Sequence, residues 1–199
     1  MSALFLPLFS ALLLLVSPAY GSSEHAVAHA HNHANSSAAH HGGVIVGESA
    51  SDKAVNFHRY SPMMATSGAL KEGAVAALKS DGFKTIIDLR TPKEGVAAEQ
   101  KKATASGLQY YNLPVAGEFP AAVLREQFKQ LIEDPTNYPV LVHCASANRV
   151  GMVWAAYQLD QGVDYKTAVA QGRAIGMKPS KEQQLNDYYQ STKASAGEQ

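Results

Sequence analysis

Val140-Leu141-Val142-His143-Cys144-Ala145-Ser146-Ala147-Asn148-Arg149-Val150-Gly151 is the stretch on which the fold turns. Tyr138-Pro139 introduces an apolar strand, Val140 to His143, and the spacing from Val150 to Gln161 is helical and stops at Gly162. A strand passing directly into a helix is the unit of α/β architecture, and ligands on such sheets bind outside the carboxyl ends of the strands. The turn between the two holds Cys144, the only cysteine of the chain, and five residues later Arg149. A thiol at that position faces the exposed N–H groups and partial positive charge of a helix N-terminus, and both favour thiolate. Arg149 can fold back over the turn and offer two parallel N–H donors to a tetrahedral oxyanion. Cys144 and Arg149 then make an anion cradle with a nucleophile at its floor.

Working outward, 83–89 reads as a buried strand preceded by a helix over 70–81 with a Gly82 stop. Thr91-Pro92-Lys93-Glu94 supplies an N-cap, a proline at the first helical position and a capping-box acid, which predicts a helix running to Gly107. A second strand follows over 109–115 and a helix from Pro120 to about Glu133. Beyond the Cys144 turn, Asp164 caps a helix to about Ile175, and Ser180-Lys181-Glu182-Gln183 opens a last one. Residues 191–199 are small and polar and are expected to fray. The pattern predicts an α/β domain over 44–195 with a central, mainly parallel sheet flanked by helices.

The front of the chain is different material. Of 199 residues, 17 are basic and 17 acidic, yet residues 1–43 contain a single charge, Glu24. Net neutrality leaves no basic excess to neutralise phosphates, so nucleic acid is not an expected partner. The apolar run from Leu4 to Val16 is too short to span ~30 Å of hydrocarbon as a helix and has the length of a secretory h-region. Ser17-Pro18 breaks it, and Ala19-Tyr20-Gly21 places small residues for cleavage after Gly21, although no Lys or Arg precedes the run. Residues 1–21 are therefore expected to direct the protein to the periplasm or out of the cell, with no transmembrane segment in the mature chain. Residues 22–43 hold six of the eight histidines. Their composition suits a disordered tether, and His29, His31 and His33 are candidates for a weak metal site in it. In an oxidising compartment a lone Cys144 is a free thiol, an intermolecular partner or a nucleophile, and its place in the turn favours the nucleophile.

The Cys144 segment resembles the active-site loop of cysteine-dependent phosphatases. It is most similar to the phosphatase-like domains associated with β-lactamase-hydrolase-like proteins, which are related in fold to dual-specificity phosphatases. The likeness extends over about Asn56 to Gln158 through Ser67-Gly68, Gly82-Phe83-Lys84-Thr85-Ile86-Ile87-Asp88-Leu89-Arg90, Tyr111-Asn112-Leu113-Pro114-Val115 and His143-Cys144. It implies that Cys144 attacks phosphorus and Arg149 binds the phosphoryl oxygens. It also implies that backbone N–H groups from Ala145, Ser146, Ala147, Asn148 and Arg149 complete the cradle, and that His143 helps hold the loop. No cofactor is implied, and the substrate would be a phosphorylated protein or a small phosphate ester. The acid that protonates the leaving oxygen belongs on the loop 116–120, where Glu118 is the only carboxylate.

Three departures from that pattern bear on turnover. Four residues separate Cys144 from Arg149 where tyrosine and dual-specificity phosphatases have five, and the shorter interval also resembles rhodanese-type sulfurtransferases. Val150 stands where a hydroxyl residue usually assists the departing sulfur. Ala147 replaces a glycine in a turn expected to need positive φ, for which Asn148 is the better-suited residue. Three readings follow: a cysteine-dependent phosphatase, a sulfurtransferase carrying a Cys144 persulfide, and a non-catalytic phosphate- or anion-binding module.

Overall fold

Val140–His143, strand β5, is buried throughout because it lies at the centre of a five-stranded sheet. The other strands are β1 (His58–Ser61), β2 (Met64–Ser67), β3 (Thr85–Asp88) and β4 (Gln109–Asn112), in the spatial order β1-β2-β5-β3-β4. β2, β5, β3 and β4 run parallel, and β1 pairs antiparallel with β2. These relations come from a computed structural model, which describes residues 44–197. The segments read as a secretory signal and a histidine-rich tether, His29, His31 and His33 included, lie outside the described residues.

Alternation along the central strands separates two cores. Val140 and Val142 of β5 and Ile87 of β3 face one hydrophobic cluster, whereas Leu141 and Ile86 face the other. The first is closed by α3 (Ala122–Glu133), α4 (Asn148–Asp160), α5 (Tyr165–Ala174) and α6 (Pro179–Gly197); the second by α1 (Ala74–Ser80) and α2 (Val96–Ala105). A parallel sheet with both faces covered is the arrangement that near-continuous apolar strands require.

Several expectations are corrected. The β1–β2 hairpin was not foreseen: it joins an otherwise parallel sheet as an antiparallel edge. The helix predicted to run from Thr91 to Gly107 is split. Pro92–Glu94 forms one 3-10 turn with the capping box intact, Gly95 turns the chain at φ 89°, and α2 starts at Val96. The C-terminal segment expected to fray instead continues α6 as helix to Gly197. None of the helices among the described residues is long and apolar enough to cross a membrane.

α4 carries the site at its N-terminus, and its seat is set by two glycines. A Cβ on Gly151 would lie 2.5 Å from the Gly172 carbonyl oxygen of α5 and 2.6 Å from the Met177 nitrogen. Backbone meets backbone there, so neither obstacle is a flexible side chain that can move aside. Gly151→Ala is expected to cost about 3 kcal/mol, the upper part of the usual range for overpacking, measured as the shift in a urea unfolding midpoint. An unchanged midpoint would show that the α4–α5 crossing is free to widen.

Candidate active site

The Cys144 turn is built by the ends of three adjacent strands. Cys144 N–H donates to the Ser67 carbonyl at 3.2 Å and Leu89 N–H to the His143 carbonyl at 2.9 Å, so the ladders run one residue past β5 on the β2 side and one residue past β3 on the other. Gly68 is needed beside the turn, because a Cβ there would come 2.8 Å from the Ala145 oxygen and 2.9 Å from the Ser146 Cα. Ala69 N–H then donates to Ala145 O at 3.0 Å, and the Asn56 amide to Ser146 O at 3.1 Å. Both anchors take carbonyls on the outer side of the turn. Beyond the isolated antiparallel bridge that pairs Ser146 with Gly68, no backbone acceptor among the described residues engages the N–H groups of residues 145–149, and the next donor along α4 is Gly151 N–H to Ala147 O at 2.9 Å. N–H groups left without acceptors around a helix N-terminus form a nest for an anion.

Cys144 is 1% exposed at the base of this nest and is a free thiol. The positive φ sits on Ala147 itself, at 66°, and not on Asn148. Asn148 is the first residue of α4 and is spent otherwise, its Oδ1 accepting from Lys178 N–H at 2.8 Å. The methyl of Ala147 is accommodated against Gly176, where any Cβ would come within 2.8 Å of it. A non-glycine residue in the left-handed region costs roughly 1 kcal/mol, here offset by full burial of the side chain.

Arg149 is turned back over the loop, as its spacing requires. Its Nη1 donates to Val115 O at 3.0 Å and Leu89 O at 3.3 Å, fixing it to the ends of the neighbouring strand segments. The fork of two N–H groups is engaged by Glu94, with Nη1–Oε2 at 2.9 Å and Nη2–Oε1 at 2.6 Å. Hydrogen bonds from Arg149, and from Thr91, hold the Glu94 carboxyl down at about 2. Because this value is depressed on folding, the pair adds stability above the ordinary carboxylate range, and that contribution is lost as pH falls towards about 2. Glu94 in turn raises the Arg149 guanidinium, and the nearby Cys144 sulfur acts in the same direction.

Above the loop lies an open cleft of about 390 Å³. Ser146, Asn148 and Arg149 form one wall, Thr91 and Glu94 a second, and Ala116, Gly117 and Lys181 a third. Of the residues assigned from sequence, the structure brings Arg149, Ser146 and Asn148 to this cleft, while Cys144, Ala145 and Ala147 of the same turn do not line it. Glu118 is exposed and does not line it.

His143 is fully buried away from the cleft. Its Nε2 lies 2.9 Å from Glu99 Oε1 of α2 and 3.5 Å from Asp88 Oδ1, at ion-pair distance but without hydrogen-bond alignment. Asp88, Glu99 and His143 are close enough together to suggest metal ligands. The cation among them is Arg90, whose Nη2 is 2.8 Å from a carboxylate oxygen of each acid. Burial pushes Asp88 up, but Arg90, His143 and Tyr110 outweigh it and leave its carboxyl below the usual range. The cluster is a charge-compensated support beneath the Cys144 loop.

Sequence reasoning missed Glu94 and Lys181. Glu94 was assigned only as a capping acid, a role it keeps while also binding Arg149. Its signal was topological, since the turn after β3 must open at the same sheet edge as the turn after β5.

The profile of the family described as "DSP-PTPase phosphatase fused to NAD+ Kinase" matches residues 34–190. No curated protein matches the chain. Among solved structures, a DUF442 phosphatase candidate from Shewanella putrefaciens is 23% identical with a TM-score of 0.57, covering 71% of this chain and 95% of its own. TpbA from P. aeruginosa, in a cysteine-to-serine form bound to pTyr, is 21% identical with a TM-score of 0.54, at 66% and 83% coverage. The catalytic core of the PP-IP phosphatase SIW14 from S. cerevisiae is 17% identical with a TM-score of 0.54, at 67% and 85% coverage. At these identities the structures establish the shared fold. With the family profile spanning most of the described residues, the chain belongs to the DSP-PTPase family of cysteine-based phosphatases.

Proposed function

We propose that the protein hydrolyses phosphate monoesters through a cysteinyl-phosphate on Cys144, with Arg149 and the N–H groups of residues 145–149 holding the phosphoryl oxygens. The observation that carries this reading is the nest of N–H groups at the start of α4, in the turn that begins with a buried thiol. Such donors stabilise the charge on the equatorial oxygens as sulfur approaches phosphorus, and they are already in place before substrate arrives. Arg149 exchanges its two bonds to Glu94 for two phosphoryl oxygens without leaving its anchors on Leu89 and Val115. A phosphorylated protein, phosphotyrosine included, or a small phosphate ester suits an open cleft of this size. We place the activity in the periplasm or outside the cell, on the export signal read in residues 1–21.

The test is hydrolysis of p-nitrophenyl phosphate by the full chain, quenched in acid during turnover and analysed by peptide mass spectrometry. The expected result is release of nitrophenol together with one phosphoryl group on the peptide containing Cys144. Turnover without that adduct would replace covalent catalysis by direct attack of water. Binding of inorganic phosphate without turnover of any ester would make the cleft a recognition module.

A further inference from the structure

The cleft contains no carboxylic acid able to protonate a leaving oxygen. Glu118 on the expected loop is exposed and does not line the cleft. Glu94, which does line it, is held ionised by Arg149 and Thr91 in the free protein, and when Arg149 turns to a phosphoryl group the Thr91 N–H and hydroxyl still donate to its Oε2 at 2.8 Å each. Arg149 is raised by Glu94 and does not release a proton. The remaining ionisable group on the walls is Lys181, from the first turn of α6.

Lys181 is held in a definite position. Its Nζ donates to Gly117 O of the loop after β4 and to Gln184 Oε1 at 2.8 Å. Gln184 reaches the same Gly117 carbonyl through Nε2 at 2.8 Å, so the loop and α6 are tied together at this point. An ammonium has three N–H bonds, and two are accounted for by these acceptors. The third has no acceptor among the described residues, and Lys181 lines the same cleft as Arg149.

Resting on the phosphatase reading above, we infer that Lys181 is the proton donor to the leaving oxygen, taking the role that a loop carboxylic acid has elsewhere. In the first step the Cys144 thiolate bonds to phosphorus, the phosphorus–oxygen bond to the leaving group breaks, and that oxygen takes a proton from the Lys181 ammonium. An alcohol leaves, and a neutral amine remains. In the second step the amine takes a proton from water as the water oxygen bonds to phosphorus and the sulfur–phosphorus bond breaks. Thiolate, ammonium and inorganic phosphate are the products, with no further reactant needed. Burial, and then the neighbouring Arg149 charge, lower the Lys181 ammonium from its ordinary value, which brings it nearer to the range useful for proton transfer.

Leaving groups of different basicity test the proposal. Nitrophenolate departs without protonation, whereas phenolate from phenyl phosphate needs a proton. Lys181→Met should lower kcat/KM by about threefold on p-nitrophenyl phosphate, through lost charge, and by about 100-fold on phenyl phosphate. Lys181→Arg should keep the charge and behave on phenyl phosphate like Lys181→Met, because a guanidinium gives up no proton. Glu118→Gln should reproduce neither effect. Equal losses on both esters, recovery in Lys181→Arg, or the same split in Glu118→Gln would each overturn Lys181 as the donor. Parent activity on p-nitrophenyl phosphate that depends on Cys144 keeps the phosphatase reading intact in all of those cases. A parent inert on both esters would overturn that reading and this one with it.

Discussion

Cys144→Ser is expected to reduce aryl phosphate hydrolysis by at least about 10⁴-fold while inorganic phosphate still binds. The substitution exchanges one small buried atom for another at a position 1% exposed, so the turn and its N–H groups stay where they are. What is lost is the sulfur nucleophile. A serine hydroxyl ionises far above neutral pH, and none of the described side chains beside Cys144 is poised to take its proton. His143, the neighbour best suited by type, is buried among Asp88, Glu99 and Arg90 and does not line the cleft. Initial rates on p-nitrophenyl phosphate and calorimetric titration with phosphate check the two halves separately. Retention of more than about a tenth of the activity would move the nucleophile elsewhere.

Arg149→Lys should lower kcat/KM by about 10²–10³-fold, with the protein still folded. Four contacts converge on this guanidinium, two to carbonyls and two to Glu94. An ammonium offers one nitrogen, which cannot hold the Leu89 and Val115 carbonyls and grip two phosphoryl oxygens at once. Side-chain exposures of 14% for Arg149 and 32% for Glu94 place the ion pair near the surface, where such pairs contribute about 1 kcal/mol or less. A thermal melt should therefore shift by only a few degrees while the rate collapses. Near-parent activity would reduce Arg149 to a tie between strand ends.

The parts legible in sequence were those set by local periodicity and by the parallel-sheet rule. Val140 to His143, the helix after the turn, and the Asp164 cap are all present, the last with its side chain accepting from Thr167 N–H at 3.0 Å. The cleft walls supplied from a distance were not legible. Lys181 reaches the site only because α5 reverses the chain against α4, a close approach set by Gly151 and Gly172. Glu94 satisfies a capping box so well that nothing in its neighbourhood pointed to a second partner 55 residues away. At Ala147 packing overrides the φ preference that favours Asn148: the left-handed position is the buried one, and it has room for a methyl against Gly176. The β1–β2 hairpin escaped notice because two four-residue strands carry too little pattern to identify.

Cys144 N–H closes the last rung between β2 and β5, so the nucleophile belongs to the sheet, whereas the cleft rim at Ala116 and Gly117 belongs to an exposed loop. The two parts therefore have different clocks. Opening of the loop is a local event of low free energy, whereas displacing the sulfur requires breaking into the central strand and approaches global unfolding. Substrate entry and product exit can proceed by fluctuations of the rim, including the wall tied by Gly117 to α6, while the attacking atom keeps a fixed address through the whole cycle.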